Sequence, residues 1–401
     1  MTELRIAYLD WAATSAVRPA PVIDAVANYL RTTGATPGRG GHRLGIEAGR
    51  VALRCRQALL SLLGLPGDAS RIAFMFNATH ALNTALHGVL KPGEAVVVTS
   101  FDHNAVLRPV HRLVTRRGVK VRMVAGRPDG TLDDAALDRA LDGARLLVVN
   151  AASNVLGSRL DVHALGGRAR AAGALILLDT AQTAGHIPTA LGSAAVDMVA
   201  FTGHKGLLAP QGIGGLWVRP GLDVEPLLVG GTGGDSMLRD MPEAMPDRLE
   251  AGTQNASGIA GLLAGVEWLR EQTVEAVHAR CSVLKQRLRD GLADVDGVDV
   301  VSPAAPDGAA IVTVRARTLD PATLAGELDR RYAVLARPGL HCAPEAHRVL
   351  GTEPTGALRF SLGWASTDEE VNRAVHAVRE TVGPGRIFAS GGTASAGAAP
   401  G

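Results

Sequence analysis

The chain has 401 residues, 41 Lys and Arg against 39 Asp and Glu, and a formal net charge of +2 with 20% of residues charged. This length predicts two or three domains with a sizeable core, and the balanced charge without a basic tract argues against a nucleic-acid or membrane-surface partner. A polar start (Met1-Thr-Glu-Leu-Arg5), no apolar run long enough to span a bilayer, and three cysteines that make no even disulfide framework together predict a cytoplasmic protein.

In chain order, the region from about Arg71 to Arg219 alternates short apolar runs with helical stretches. The strand candidates are Arg71–Phe76, Glu94–Ser100, Val119–Ala125, Ala144–Ala151, Ala174–Asp179, Asp197–Phe201 and Gly214–Val218. Such alternation predicts an α/β fold with a mostly parallel sheet covered by helices on both faces, and places active sites at the carboxyl ends of its strands. After a glycine-rich stretch, Gly230-Gly-Thr-Gly-Gly234, helical spacing predicts one long segment from about Gly258 to Leu292. A strand over Ala309–Arg315, a helix over Pro321–Arg330, a strand over Ala357–Ser361 and a helix over Thr367–Val382 complete a smaller α+β unit. The expected division is a large unit at residues 15–257 and a small one made of 1–14 and 258–387. The low-complexity end, 388–401, has few groups to bury and is expected to be disordered.

The chain holds only four lysines. Lys91, Lys120 and Lys285 fall in a turn, a strand start and a charged helical pattern, and read as solvated surface. Lys205 lies where an apolar run breaks into Thr202-Gly-His-Lys-Gly206, at a strand end. An amine buried there can lose its proton and form a Schiff base, although a lysine at a strand terminus is on its own equally readable as surface. Upstream, Leu175-Ile-Leu-Leu-Asp179 is a continuous apolar run ending in a carboxylate. An acid and a lysine at neighbouring strand ends suit pyridoxal phosphate, which needs an amine for its aldehyde and an acid beside its ring nitrogen. The strand–cap–helix junction at Asn77-Ala-Thr79 offers free backbone N–H groups for a phosphate, though such junctions are common.

Together these segments resemble the class V, fold-type I pyridoxal-phosphate enzymes, and most closely the cysteine desulfurase and selenocysteine lyase family in its branch with a short catalytic loop. The resemblance runs from Tyr8-Leu-Asp-Trp-Ala-Ala-Thr14 through Gly38-Arg-Gly-Gly-His-Arg43, Asn77-Ala-Thr-His80, Asp102-His-Asn104, Ser153-Asn-Val-Leu-Gly157 and Asp179-Thr-Ala-Gln182. It continues through Thr202-Gly-His-Lys205, Glu250-Ala-Gly-Thr-Gln-Asn255 and Arg337-Pro-Gly-Leu-His-Cys-Ala343 to Arg359-Phe-Ser-Leu-Gly363. It implies that Lys205 attaches the cofactor and moves the substrate's alpha proton, that Asp179 pairs with the ring nitrogen, and that Gln182 bonds the ring's phenolic oxygen. His103 would stack on the ring and shuttle protons. Thr79, His80, Thr202 and His204 would surround the phosphate, and Thr253 would reach the phosphate of the neighbouring subunit in a homodimer. Asn154 and Arg359 would hold the substrate carboxylate, a task that suits arginine's planar fork.

Cys342 decides the implied reaction. It lies in a Pro/Gly-marked loop beside His341, and either that histidine or the cofactor's charges could raise its thiolate fraction, whereas Cys55 and Cys281 fall in ordinary helical patterns. The resemblance implies that Cys342 attacks the sulfur of L-cysteine, leaving a persulfide and releasing alanine, and that the sulfur passes to an acceptor protein or small molecule; L-selenocysteine is the other candidate substrate, whose better leaving group could depart without the thiol's attack. His80, Asp102, Pro338 and Trp11 depart from the family's usual residues and leave room for a specialised pathway. Another class V activity (a C–S lyase or an aminotransferase) and a non-enzymatic sulfur-relay scaffold are the alternatives; the Lys205–Asp179 pair argues against the scaffold. No Cys-x-x-Cys or His-Glu-x-x-His spacing occurs, so no metal site is expected.

Overall fold

The computed structural model describes residues 6–38, 41–234 and 236–382. The expected tail at 388–401 and Arg39-Gly40 of the glycine-rich motif lie outside the described residues. The amino-terminal part supplies β1 (Ala7–Tyr8), α1 (Ala20–Thr32) and α2 (Arg43–Leu63). The alternating region follows as β2 (Ile72–Met75), α3 (Ala78–Val89), β3 (Ala95–Thr99), α4 (Asn104–Arg117), β4 (Lys120–Val124) and α5 (Asp134–Leu141). It continues through β5 (Leu146–Asn150), α6 (Val162–Ala171), β6 (Leu175–Asp179), β7 (Met198–Thr202) and β8 (Gly214–Val218). The rest is α7 (Ala256–Gln272), α8 (Val274–Ala293), β9 (Val298–Val300), β10 (Ile311–Ala316), α9 (Pro321–Tyr332), β11 (Val334–Leu335), β12 (Arg337–Gly339), α10 (Pro344–Val349), β13 (Ala357–Ser361) and α11 (Asp368–Val382).

All seven expected strands of the alternating region form one sheet, ordered β2-β8-β7-β6-β5-β3-β4. Only β8 runs against its neighbours; β7, β6, β5, β3 and β4 pair in parallel. The strands β2, β3, β5, β6, β7 and β8 are buried at every residue, because helices cover both faces. Alternate side chains divide between two apolar clusters, one containing Val97, Leu147 and Val149, the other Val96, Leu146 and Val148. This is the α/β architecture expected from the sequence.

A second sheet, β12-β13-β10-β9, packs on α8, α9 and α11 around Leu288, Val314, Leu328, Phe360 and Val378. The amino-terminal segment joins it. β1 pairs with β11, Asp10 bridges Ser361, and Ala7 and Leu9 enter the same core. The single helix expected over Gly258–Leu292 is two. Thr273 interrupts it with a φ of 60°, and its hydroxyl accepts from the Ala276 N–H to cap the second helix. The first of the pair contributes Ile259, Leu262, Leu263, Val266 and Leu269 to the core beneath the large sheet.

Lys285 corrects another expectation. It is 6% exposed, and its ammonium donates to the carbonyls of Ala305, Pro306 and Gly308. The helical pattern marked a charged face, but the loop after β9 folds over it. Burial brings its pKa down to about 8. Lys91 and Lys120 are exposed as expected. No helix among the described residues is long and apolar enough to cross a membrane.

Candidate active site

The parallel strands deliver their last residues to one end of the large sheet. Asp179 closes β6, Thr202 closes β7, Asn150 closes β5, and the turn after β7 carries His204 and Lys205. These residues line a cavity of about 250 Å³ together with Thr79, His103, Asn154, Gln182, Arg337, His341 and Arg359. Nine of the twelve residues singled out from the sequence therefore share one cavity: Thr79, His103, Asn154, Asp179, Gln182, Thr202, His204, Lys205 and Arg359.

The electrostatics follow from burial. Lys205 is pushed down to about 8, chiefly because its charge is desolvated, then by the Arg359 and Arg337 charges, with Asp179 acting the other way. Asp179 is raised by the same burial, against the Ala181 N–H it accepts at 2.9 Å and the Lys205 charge. His103 falls to about 4 through burial and Lys205. Its Nδ1 accepts from the Ala105 N–H at 3.0 Å, so the neutral ring carries its proton on Nε2. His204 also falls to about 4, and its Nδ1 meets Thr14 Oγ1 at 3.0 Å. Gln182 donates to the Ala12 carbonyl at 3.0 Å, which ties the amino-terminal segment to the cavity floor.

Four buried polar atoms of the cavity residues have no hydrogen-bond partner: Asn150 Oδ1, Asn154 Oδ1, Thr202 Oγ1 and Arg359 Nε. Buried polar groups are normally paired, so these mark groups held ready for a polar ligand. Ala78 and Thr79, also at the cavity wall, stand in the first turn of α3 after the Asn77 cap, where helix N–H groups have no intrahelical partner. An amine, a buried carboxyl, a phosphate-ready helix start and unpaired polar atoms together fit pyridoxal phosphate.

Arg359 is 1% exposed on β13. It donates to Asn154 O at 3.0 Å and pairs with Asp10 at 2.7 Å. Arg337, at the start of β12, also faces the cavity and makes no ion pair among the described residues. Sequence reading assigned no role to Arg337, Asp10 or Asn150, although the first two lie inside the matched segments. Asp102 was noted only as a departure. Its buried carboxyl accepts from the N–H groups of Thr99 and Asn150 at 2.7 and 3.1 Å, tying the His103 turn to the ends of β3 and β5. Burial raises it to about 7.

Three residues singled out from the sequence stand outside the cavity. The His80 ring folds back on Phe76, with centroids 5.1 Å apart, and does not line the wall; only its backbone belongs to the helix start. Thr253 is exposed, on a loop anchored by Glu250. That carboxylate accepts from the Phe74 N–H at 2.6 Å and from Arg56 at 2.8 and 2.9 Å. Cys342 is partly exposed and lines an adjoining groove that shares Thr79, His103 and Ala105 with the cavity. Cys55 and Cys281 are buried at 0% and 5%, and burial raises both thiols, Cys281 to about 11.

The Cys342 loop is held in an unusual backbone state. His341 and Cys342 both have positive φ, 49° and 57°. Such conformations cost non-glycine residues roughly 1–2 kcal/mol each and persist only when the surroundings enforce them. Asn154 Nδ2 donates to the His341 carbonyl at 2.8 Å, and the Asn104 N–H donates to the Cys342 carbonyl at 2.7 Å. The His341 ring completes the clamp. Its Nε2 lies 2.9 Å from the Arg337 carbonyl, its Nδ1 lies 2.9 Å from His347 Nε2, and His347 Nδ1 lies 2.7 Å from Thr352 Oγ1. A carbonyl can only accept, so the protons run one way: Thr352 to His347, His347 to His341, His341 to Arg337. Burial and the Arg359 charge push His341 down to about 2. His341 is therefore neutral and fully engaged, and does not supply the charge expected of it beside Cys342.

Residues 7–374 match the aminotransferase class-V family. A probable cysteine desulfurase of Methanothermobacter thermautotrophicus is 31% identical, with 94% of this chain and 95% of that protein covered. The apo structure of a cysteine desulfurase from Thermococcus onnurineus superimposes with a TM-score of 0.88 at 31% identity, covering 94% of each chain. An S-sulfonic acid form of a cysteine desulfurase from Escherichia coli gives a TM-score of 0.83 at 26% identity, again over 94% of each.

Proposed function

Because the chain belongs to the aminotransferase class-V family, we propose that this site is that of a pyridoxal-phosphate-dependent cysteine desulfurase. It takes sulfur from L-cysteine, leaves L-alanine and carries the sulfur on Cys342. One observation supports this above the rest: an amine with a lowered pKa, a buried carboxyl and unpaired polar atoms converge in one cavity, and the accessible cysteine among three stands at its rim.

Bound pyridoxal phosphate supplies an aldehyde for an amine and a cationic ring that draws electrons from the substrate. Lys205 is the amine that attaches it and then moves the proton at the substrate's Cα. Asp179 would hold the ring nitrogen, whose positive charge would stabilise its carboxylate against the burial that now raises its pKa. Thr202 Oγ1, His204, Thr79 and the α3 N–H groups hold the phosphate. Arg359 and Arg337 hold the substrate carboxylate. Asn154 has one Nδ2 hydrogen left for the same task, its other one being spent on the His341 carbonyl. His103 stands in both the cavity and the groove, and donates from Nε2.

At Cys342 the new S–S bond forms as the substrate's Cβ–S bond breaks. L-Cysteine and one thiol become L-alanine and one persulfide, with no outside oxidant. In the expected division, residues 15–257 bring the cofactor-facing groups and 1–14 with 258–387 bring Cys342, Arg337 and Arg359, although α7, counted in the second unit, packs in the core beneath the large sheet. Thr253 has a use only against another subunit, so the unit of function is a homodimer. All three cysteines are free, which supports a reducing, cytoplasmic setting. Product analysis after adding L-cysteine to the cofactor-loaded protein tests the reading. Alanine with persulfide or sulfide supports it; pyruvate with ammonia indicates a lyase, and a keto acid dependent on an amino acceptor indicates a transaminase.

A further inference from the structure

The groove outside the cavity has a volume of about 360 Å³, and Cys342, Thr79, Asn83 and His103 form one part of its wall. The other part is the exposed face of α4, where Arg108 and Arg112 project side by side at helical spacing. Neither guanidinium makes an ion pair or hydrogen bond with the described residues, whereas many of the chain's other arginines do. No acidic residue occurs between Asp102 and Asp129, so nothing on this stretch offsets the charge, which the chain-wide balance of +2 conceals. The groove's volume lies in the range of small-molecule sites. Two unpaired guanidinium groups beside a thiol, in a groove continuous with the cavity through Thr79 and His103, form a subsite that the L-cysteine half of the reaction does not use.

We propose that this groove binds the sulfur acceptor, and that the acceptor is a small thiol carrying a carboxylate or phosphate. The inference rests on the cysteine desulfurase reading and names the partner of its second half. The anion sits on Arg108 and Arg112, with its thiol directed at the persulfide on Cys342. The acceptor's thiolate attacks the outer sulfur, the S–S bond to Cys342 breaks, and a new S–S bond forms on the acceptor. Cys342 leaves as a thiolate, so atoms and electrons balance without an oxidant or reductant. The arginines act as the acceptor's anchor and as the field that draws anions toward the groove.

The experiment uses the holoenzyme loaded with L-cysteine and freed of excess substrate. Alanine released per protomer is counted first, before any thiol is added, which tests the desulfurase reading by itself. Loss of the persulfide is then timed with three thiols of similar size: 3-mercaptopropionate (anionic), 2-mercaptoethanol (neutral) and cysteamine (cationic). Each rate is normalised to the thiolate present. The expected kcat/KM order is anionic, neutral, cationic, with about a tenfold preference for 3-mercaptopropionate over 2-mercaptoethanol that shrinks as salt is added. Arg108→Gln with Arg112→Gln brings that ratio to about one, and the Glu pair places cysteamine first. Acetate or inorganic phosphate competes with 3-mercaptopropionate in wild type, and the stronger competitor identifies the favoured anion. Equal rates for the three thiols in wild type, a preference that survives both double variants, or no competition by either anion would each overturn the proposal. Because salt dependence and competition are read on the wild-type protein, a variant that fails to fold does not remove the test.

Discussion

The lysine end of the site and the cysteine end are built by opposite means. Lys205, Asp179 and Thr202 sit at the ends of adjacent strands that are buried at every position, so the large sheet's core sets their spacing. Cys342 sits in the turn between β12 and α10, where it and His341 are both left-handed, and five hydrogen bonds from Asn154, Asn104, His341, His347 and Thr352 keep the turn in place. Burial near Lys205 changes chemistry directly, by favouring a neutral amine. Burial near Cys342 acts through neutral imidazoles that position a loop and leave the thiol at the rim. On the proposed reading, a rigid base serves the steps at the substrate's Cα, while a separately clamped loop presents the thiol that takes the sulfur.

The comparison is broken most severely at Lys205. Lys205→Ala should lose the covalently held cofactor and reduce turnover by at least about 10³-fold. Borohydride reduction followed by peptide mapping should label Lys205 alone; a label at Lys285, the other buried lysine, would reassign the amine. Cys342→Ala should cut turnover by at least about 10²-fold while the cofactor's absorbance stays as in wild type, because none of the cofactor-facing groups depends on that thiol. Wild-type turnover from this variant would assign the chemistry to a lyase.

His347 separates the two ends more finely. Removing its donor to His341 leaves a buried ring nitrogen unpaired, which costs about 1–3 kcal/mol and here loosens the loop. His347→Ala should lower kcat about tenfold with KM for L-cysteine and the cofactor spectrum unchanged, and His347→Gln, which keeps an N–H donor, should recover most of the loss. A change in cofactor affinity of the same size would mean that the two ends are not independent.

The pH dependence sharpens the other half. A lysine lowered to about 8 is mainly protonated below that pH and mainly neutral above it. The rate at which the cofactor joins the apoprotein should therefore rise through about pH 8 and level off by about pH 9, whereas an ordinary lysine would keep gaining to its usual value near about 10.4. A continued rise would contradict the burial argument. The smallest effect is expected at Thr253, where Thr253→Ala should weaken cofactor binding about threefold in a protein that sediments as a dimer. Full activity from a sedimenting monomer would remove the cross-subunit role.

How far the sequence could be read follows the same division. The parallel strands announce themselves as unbroken apolar runs, and their terminal residues fall where such sheets place function, so Lys205, Asp179 and Thr202 were legible. Lys285 was misread because a helix pattern records spacing and says nothing of the loop that folds over it. The break at Thr273 was hidden because apolar spacing continues across it. Arg337 and Asp10 were within matched segments, yet only the fold brings Arg337 to the cavity and Asp10 against Arg359. The His341–His347–Thr352 chain is local in sequence, but its direction depends on the Arg337 carbonyl, and no residue pattern reports which way a carbonyl points.

The division of labour between the two ends is tested most directly by trapping the sulfur. The cofactor-loaded protein is given one equivalent of L-cysteine, quenched with an alkylating agent, and mapped by mass spectrometry before and after reduction. The expected result is one alkylated persulfide per protomer on Cys342, matched by one alanine, with Cys55 and Cys281 carrying none. Alanine formed without a persulfide on Cys342, or a persulfide on either buried cysteine, would contradict it.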